Sequence, residues 1–244
     1  MQGGHGVNMD KKIYIKKSVY ITEDIIDRDG IDKNIDGIGG LCIAAIRELF
    51  RNLPDALKDV PVFFGSAYSS LNSLHNFNII CEQLGALRVN PSLFPNTVLN
   101  SPFCRASIYH GITSPVYNIS NGRFSGLEAF ELAFMHIING ETDNAIVCTA
   151  EEGCDFIRRI EKKEISNSCG ALYLTALGGE IEIQSLSRKR AGNFHEMDNS
   201  DMDSTNILEI INNTYKEKAV EKELILENIQ GYKTVINIRY HNRK

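Results

Sequence analysis

The side chains of this sequence that are most able to do chemistry are its thiols and imidazoles, and they are spread along the chain. There are six cysteines and six histidines in 244 residues. The cysteines are Cys42, Cys81, Cys104, Cys148, Cys154 and Cys169. No two form a Cys-x-x-Cys pair, and no group of histidine, cysteine and carboxylate has the spacing of a structural zinc site. Because a free thiol in an apolar run usually packs as a small hydrophobic residue, we expect buried thiols, no metal site and no cofactor.

Three side chains could act as a nucleophile in an acyltransferase or thioesterase, namely Cys104, Cys148 and Ser125. Neither cysteine falls at the start of a predicted helix, where the helix dipole would favour a thiolate. Ser125 lies in Gly-Arg-Phe-Ser-Gly, which departs from the Gly-x-Ser-x-Gly elbow of hydrolases, and a serine at a helix start is commonly a cap. Core packing is the favoured interpretation of the cysteines, and the enzyme alternative stays open.

The elements that position these residues alternate between strand-like and helix-like runs, which predicts the α/β class with a central sheet covered by helices. Apolar β-branched and aromatic runs predict strands over 12–22, 60–65, 116–120, 145–150, 170–176, 180–184 and 234–240. Helical spacing of apolar residues predicts helices over 38–53, 71–87, 100–111, 127–137 and 206–227.

Composition excludes several classes of function. The chain is 43% hydrophobic and 23% charged, with a net charge of −5, which disfavours a nucleic-acid partner. Its basic stretches, 187–190 and 239–244, are short and lack aromatic residues for base stacking. No run approaches the roughly 20 apolar residues of a membrane helix. The first residues have no signal-peptide core, so we expect a cytoplasmic protein without a membrane partner.

The run NSPFCRASIYHGITSP is the first of two motifs that point to a family. Together with the order of elements over 38–176, it resembles the β-ketoacyl synthases of the thiolase-like fold. Family positions for an asparagine, a helix, a glycine and a Gly-Pro-like turn are matched here by Asn100, Ser107, Ile108, Gly111 and Pro115. The resemblance implies a thiolase-like fold with a central mixed sheet.

The second motif, SGLEAFELAFMHIINGETDNAIVCTAEE, is the more specific. In the family, Ser-Gly opens a buried helix, a turn closes it, and the next strand ends in an acidic pair. The matching residues are Ser125, Gly126, Gly140, Asp143 and Glu151. The acidic pair, Glu151 and Glu152, could suggest acid–base carboxylates, but in the family the matching glutamate is structural, and we expect the same of Glu151.

The resemblance places the family's reactive cysteine at Arg123. Gly122, Phe124, Ser125 and Gly126 would then line the same pocket. A guanidinium has no nucleophilic form, and its charge opposes the dipole of the helix that follows. We therefore expect no condensation by this chain alone.

Two roles for Arg123 stay open. In one, it is a gate that closes the pocket or reaches a carboxylate on a partner subunit. In the other, it swings to solvent or pairs with Glu128.

The second half of the family fold is only partly matched. The resemblance places His241 at the family's first catalytic histidine, but the glycine and threonine of that motif are absent. The second histidine and the closing glycine-rich motif have no counterpart. We therefore predict a truncated thiolase-like fold: a flexible lead-in over 1–11, a ketosynthase-like first half over 12–185 and a partial second half over 186–244.

In the family, the strand before the nucleophile pairs across a two-fold axis. Here that interface strand comprises Val116, Tyr117, Asn118, Ile119 and Ser120. Some family members form heterodimers in which a chain length factor without the cysteine shapes the acyl pocket of the active subunit. The resemblance therefore implies a non-catalytic partner of an active β-ketoacyl synthase in polyketide or fatty-acid-type biosynthesis, contacting acyl carrier protein indirectly.

A third alternative is a scaffold that docks an acidic acyl carrier protein. Such a scaffold needs a basic patch, for which Arg88, Arg105 and the 187–190 cluster are the candidates.

Overall fold

The computed structural model describes residues 11–25, 31, 35–53, 55–162, 164–190, 205–217, 221–228 and 232–241. Most of the predicted lead-in and the acidic segment 191–204 lie outside these residues.

The described strands form one mixed sheet of eight. In chain order they are β1 Ile13–Thr22, β2 Val62–Gly65, β3 Val116–Ile119, β4 Asn144–Glu151, β5 Ser168–Thr175, β6 Ile181–Arg190, β7 Glu221–Asn228 and β8 Tyr232–Tyr240. Their order across the sheet is β3-β2-β4-β5-β1-β6-β8-β7. β2 pairs in parallel with β3 and β4, whereas the other pairs are antiparallel.

Six α-helices lie among the described residues, and four of them cover the sheet. They are α1 Gly37–Phe50, α2 Leu71–Leu84, α3 Ser101–His110, α4 Ser125–Ile138, α5 Asp155–Glu161 and α6 Asn206–Glu217. α1 and α3 belong to the hydrophobic cluster on one face, and α4 and α6 belong to the cluster on the other. The predicted α/β class, with a central mixed sheet covered by helices, is therefore confirmed.

Strand β4 shows why its sequence is almost entirely apolar. Ala145 and Val147 join the cluster beneath α4, while Ile146, Cys148 and Ala150 join the cluster beneath α1. Both faces of this central strand are covered, so both sets of alternating side chains are mostly apolar, and its polar residues Thr149 and Glu151 are themselves buried. The continuous run AIVCTA meets that requirement.

Strand β1 changes faces part of the way along. Ile13 and Ile15 pack in the α4 cluster, but Val19 packs in the α1 cluster. An irregularity in its pairing with β5 falls between Ile15 and Lys17, and an extra residue at that point reverses the alternation of side chains. The run predicted as a strand over 12–22 is therefore one strand with a bulge.

The helix predicted over 206–227 is wrong in its second part. The helix α6 ends at Glu217, and residues Glu221–Asn228 form β7, which pairs with β8. Apolar residues at i+4 spacing continue past the end of α6, and this spacing concealed the change of element. The short helix α5 was not predicted from the sequence either.

Lys17 joins β1 to the end of α1. Its Nζ donates to the carbonyl oxygens of Glu48 at 2.6 Å and Arg51 at 2.7 Å. These carbonyls carry the negative end of the helix dipole, so a cation is favourable there. Burial lowers the pKa of Lys17 from its ordinary value, which shows that the ammonium is partly withdrawn from water.

Replacing Lys17 with methionine should therefore destabilise the fold. We expect Lys17→Met to lower the free energy of unfolding by about 1–2 kcal/mol, because two charge-assisted hydrogen bonds are lost from a partly exposed site. Urea denaturation followed by circular dichroism measures this change. Lys16→Met is the matched control, since Lys16 is exposed. Equal stability of the two variants would contradict the role of Lys17.

Candidate functional site

The turn between β3 and α4 places Arg123 at the start of a buried helix. Ser125, the first residue of α4, is fully buried. Its Oγ accepts from the Asn121 amide at 2.8 Å and donates to the Gly122 carbonyl at 2.6 Å. Since its hydroxyl is committed to both sides of this turn, Ser125 acts as a local clamp and is poorly placed to act as a nucleophile.

Gly65 lets α4 approach the sheet at this point. A Cβ atom on Gly65 would lie well inside van der Waals contact with the carbonyl of Ser125. The end of β2 and the start of α4 can therefore lie against each other only because Gly65 has no side chain. Gly126, buried like Ser125, lies in the same contact.

Arg123 itself is exposed, as are Asn121 and Gly122, whereas Phe124 is half-buried. The side chain of Arg123 is close enough to Tyr68 for its charge to act on that phenol. Burial, and then the nearby Glu161 carboxylate, raise the pKa of Tyr68 far above its usual value, and the positive charge of Arg123 opposes that rise. Glu128, the predicted local partner of Arg123, accepts a hydrogen bond from Asn121 Nδ2 at 2.8 Å. Arg123 therefore lies on the surface of this chain, and the gate role stays a prediction about an assembly.

Glu151 is a buried carboxylate whose hydrogen bonds organise the turn after β2. Its oxygens accept from the amides of Ala67 at 2.5 Å and Tyr68 at 3.1 Å, and from Ser66 Oγ at 3.3 Å. A carboxylate with this many donors and no solvent exposure holds structure together. This geometry agrees with the structural role expected for Glu151.

The two cysteines considered as nucleophiles are in unsuitable surroundings. Burial raises the pKa of Cys104, and it raises that of the fully buried Cys148 much further. A thiol with a raised pKa carries little thiolate at neutral pH. The structure therefore favours packing roles for both.

Three of the thiols nevertheless lie closer together than the spacing of the cysteines along the sequence suggests. The sulfur atoms of Cys42, Cys148 and Cys169 all lie within 4.8 Å of one another. Alternation along β4 and β5 is the signal that could have found this group, since it turns Cys148 and Cys169 toward the same face.

His241 does not join the site around Arg123. The strands that lead to these residues, β8 and β3, lie six places apart in the sheet, or roughly 29 Å at ~4.8 Å per strand. The His241 Nε2 instead contacts Glu182 Oε2 at 2.5 Å, and Lys12 Nζ lies 3.2 Å from the other oxygen of Glu182. The structure therefore does not bring His241 and Arg123 together.

The strand predicted as an interface is at the edge of the sheet. β3 pairs with β2 on one side, and no other described strand pairs with its outer side. Tyr117, Asn118 and Ser120 are exposed, while Val116 and Ile119 are half-buried. An open edge strand is a template for pairing with another chain.

Three large hydrophobic residues in the segment before α3 are exposed, and the sequence did not predict this. Phe94, Val98 and Leu99 are 59%, 43% and 57% exposed, although they are large and hydrophobic. The turn that follows β2 holds this segment, because Ser69 Oγ donates to the Leu99 carbonyl at 2.5 Å and Ser70 Oγ to the Val98 carbonyl at 2.8 Å.

The helix α2, which precedes this segment, has no buried residue, although its sequence predicted an apolar stripe.

The basic residues proposed for carrier-protein docking are placed as follows. Arg105 Nη2 donates to Asn96 Oδ1 at 3.1 Å, so it is held against the 3₁₀ turn Pro91–Thr97. Arg88 is exposed in the 3₁₀ turn Ala86–Arg88. The side chains of 188–190 lie outside the described residues. Among the described helices, none has the length and apolar character needed to span a bilayer.

No family model matches the sequence, and no curated protein matches it at a significant level. Solved structures, by contrast, match over most of the chain. A chain of the ketosynthase ApeO in complex with its chain length factor ApeC, from Xenorhabdus doucetiae, is 12% identical with a TM-score of 0.66. The match covers 93% of this chain and 99% of that one.

A chain of the ishigamide ketosynthase/chain length factor is 12% identical with a TM-score of 0.72, covering 95% of this chain and 100% of that one. A β-ketoacyl synthase from Burkholderia phymatum STM815 is 10% identical with a TM-score of 0.68, covering 95% and 100%. The chain therefore has the ketosynthase-type, thiolase-like fold, and the predicted fold class is confirmed.

Removing the Glu151 carboxylate should unfold the turn that it holds. We expect Glu151→Ala to lower the free energy of unfolding by roughly 3 kcal/mol, because buried backbone donors lose their acceptor. Chemical denaturation measures this change. Glu128→Ala, which removes a half-exposed carboxylate with one bond to Asn121, is the control and should change stability by less than about 1 kcal/mol. A small effect of Glu151→Ala would show that the turn does not depend on this carboxylate.

The contacts of Glu182 predict a dependence of stability on pH. Burial raises its pKa, but the hydrogen bonds from His241 and Lys12 outweigh this effect, and the pKa lies below its ordinary value. A lowered folded-state pKa stabilises the fold above the unfolded-state pKa, and this contribution is lost as the pH falls through the folded-state value.

We therefore expect Glu182→Gln to be less stable than the wild type near pH 7, and the difference to shrink as the pH falls below about 4.3. Thermal melts between neutral and acidic pH measure this difference. Glu223→Gln, at an exposed position on β7, is the control. A difference that is constant across that range would contradict the linkage.

Proposed function

We propose that this chain is a non-catalytic, ketosynthase-like subunit that pairs with an active β-ketoacyl synthase and helps to bound its acyl pocket. The observation that carries the proposal is Arg123 at the start of α4. That position follows an edge strand and opens a buried helix, which is the arrangement that a condensing nucleophile needs. With arginine there, the chain keeps the frame of the site without its reactive group.

The backbone of β3 supports a partner strand. The carbonyl of Pro115 accepts from the amide of Val62, and the carbonyl of Ile119 accepts from the amide of Ser66. Every second residue here therefore directs its backbone groups toward β2. In a strand, the intervening residues then direct their N–H and C=O groups to the open side. Val116, Asn118 and Ser120 are therefore positioned to pair with a strand of another chain, with Asn118 at the centre.

The exposure of three large hydrophobic residues supports a role at an acyl pocket. Phe94, Val98 and Leu99 would be covered by a partner that pairs with β3, because the turn after β2 ties their segment to that end of the sheet. Large hydrophobic side chains exposed together often mark a protein interface. Their chemistry also suits the wall of a pocket for an alkyl or polyketide chain.

The similar solved structures also support pairing with a ketosynthase. Two of the similar structures contain a ketosynthase with its chain length factor. A third contains a type II polyketide acyl carrier protein in complex with its ketosynthase, and its matched chain is 9% identical to this one with a TM-score of 0.71. By analogy, we infer that this chain belongs in polyketide or fatty-acid-type biosynthesis, where the active partner receives the carrier protein.

The proposal is tested by affinity purification of the tagged chain from its native cells, followed by mass spectrometry. We expect a ketosynthase that contains the nucleophilic cysteine, recovered at equal stoichiometry. Recovery of a soluble monomer without a ketosynthase would overturn the proposal. In that case, fast labelling of one thiol at neutral pH would favour the acyltransferase or thioesterase alternative.

The open edge of β3 gives a sharper prediction. Asn118→Pro should abolish recovery of the ketosynthase, because proline removes the outward N–H that a partner strand needs. The fold should survive, since this N–H bonds to no other described strand. Circular dichroism checks the fold, and Asn118→Ala, which keeps the N–H, is the control. Undiminished recovery with Asn118→Pro would show that the partner does not pair with β3.

A further inference from the structure

Three buried thiols converge beneath α1, and none of them takes part in the proposed site. Cys42 lies on α1, Cys148 on β4 and Cys169 on β5, and each is 0% exposed. The sulfur atoms of Cys148 and Cys169 are 3.7 Å apart, and all three lie within 4.8 Å of one another. Three elements distant in sequence thus bring their thiols to one point.

The sheet register produces this group. Cys148 is opposite Ala171, and Cys169 is opposite Ala150, so the two cysteines are diagonal neighbours on the face toward α1. Alanine at both opposite positions leaves space between the sulfurs and Cys42 above them. A single atom bonded to all three at about 2.3 Å, the length of a metal–thiolate bond, holds the three sulfurs on average no more than about 4.0 Å apart. The Cys148–Cys169 pair, at 3.7 Å, already lies within this limit, and the pairs with Cys42, which lie within 4.8 Å, must contract by up to about 1 Å.

The surroundings decide which atom would fit. Many apolar side chains pack around these thiols, and the carboxylate of Asp36 is close enough for its charge to act on Cys42. Burial raises the pKa of all three thiols well above the ordinary value, so they are protonated at neutral pH. Three thiolates on Zn²⁺ would leave a net negative charge in this core, and burying an unpaired charge is strongly unfavourable. A ligand that forms an uncharged product avoids this penalty.

We propose that Cys42, Cys148 and Cys169 form a binding site for trivalent arsenic, taken up as arsenous acid. Three As–O bonds break and three As–S bonds form. Each thiol proton leaves with a hydroxide as water, so one As(OH)₃ and three thiols give an uncharged tris-thiolate and three waters. Arsenic stays in the +3 state, and no oxidant or reductant is consumed. Because the thiols are shielded from solvent, uptake proceeds through local opening of α1 from the sheet.

The experiment uses the full chain with Cys81, Cys104 and Cys154 changed to serine, so that only the core thiols remain. The protein is reduced with a phosphine, refolded with and without sodium arsenite, and examined by native mass spectrometry and thermal melting. We expect one arsenic per chain, a mass increase that accounts for the loss of three protons, and a higher melting temperature with arsenite, because the ligand binds the folded state.

Two variants and a second ion make the outcomes decisive. In the same background, Cys42→Val and Cys169→Ala should each lose the adduct and the rise in melting temperature, while melts without arsenite report that they fold. An adduct that persists in both variants, no adduct after refolding, or a melting temperature lowered by arsenite would overturn the site. An equal rise in melting temperature with zinc chloride would overturn the assignment to an uncharged ligand.

Discussion

The buried carboxylate of Glu151 is the interaction on which the arrangement of the candidate site depends. Glu151 lies at the end of β4 and accepts hydrogen bonds from the turn that follows β2. It therefore fixes the conformation of the backbone that leaves the fully buried strand β2. That turn in turn holds the segment of Val98 and Leu99 through Ser69 and Ser70. A carboxyl group without solvent exposure needs these donors, so the turn has few alternative conformations.

Close packing at Gly65 also fixes the position of α4 against the sheet. Gly65 ends β2 beside the first turn of α4, and any side chain there would push the helix away from the sheet. The start of α4 therefore packs against the sheet, and the two hydrogen bonds of Ser125 hold the turn that precedes the helix. Arg123 lies two residues before the first residue of α4, and its side chain is exposed. The backbone on both sides of Arg123 is thus held by Gly65 and Ser125.

The sequence predicted most of the elements because each has a clear local cause. β4 is a continuous apolar run covered on both faces, and α4 carries an apolar stripe that ends before Gly140 in a left-handed conformation. The sequence did not reveal the change from α6 to β7, because apolar residues continue at helical spacing past the end of α6. Pairing with β8, which local sequence does not show, makes the later segment a strand. At the candidate site, the motif pointed to Arg123, whose role stays a prediction. The exposure of Phe94 and the proximity of Cys42 to Cys148 depend on tertiary packing that no local pattern encodes.

The position of β1 has a consequence for how the protein forms during synthesis. The strand that leaves the ribosome early lies in the interior of the sheet, between β5 and β6, and it cannot pair until residues 168–183 have emerged. At ~5–20 residues per second, this wait lasts roughly 7 to 32 seconds. Through that interval an apolar strand with two open edges is exposed to the cell, and closure of the sheet requires contacts across most of the chain. Assembly of this fold is therefore a late event, governed by the arrival of β5 and β6.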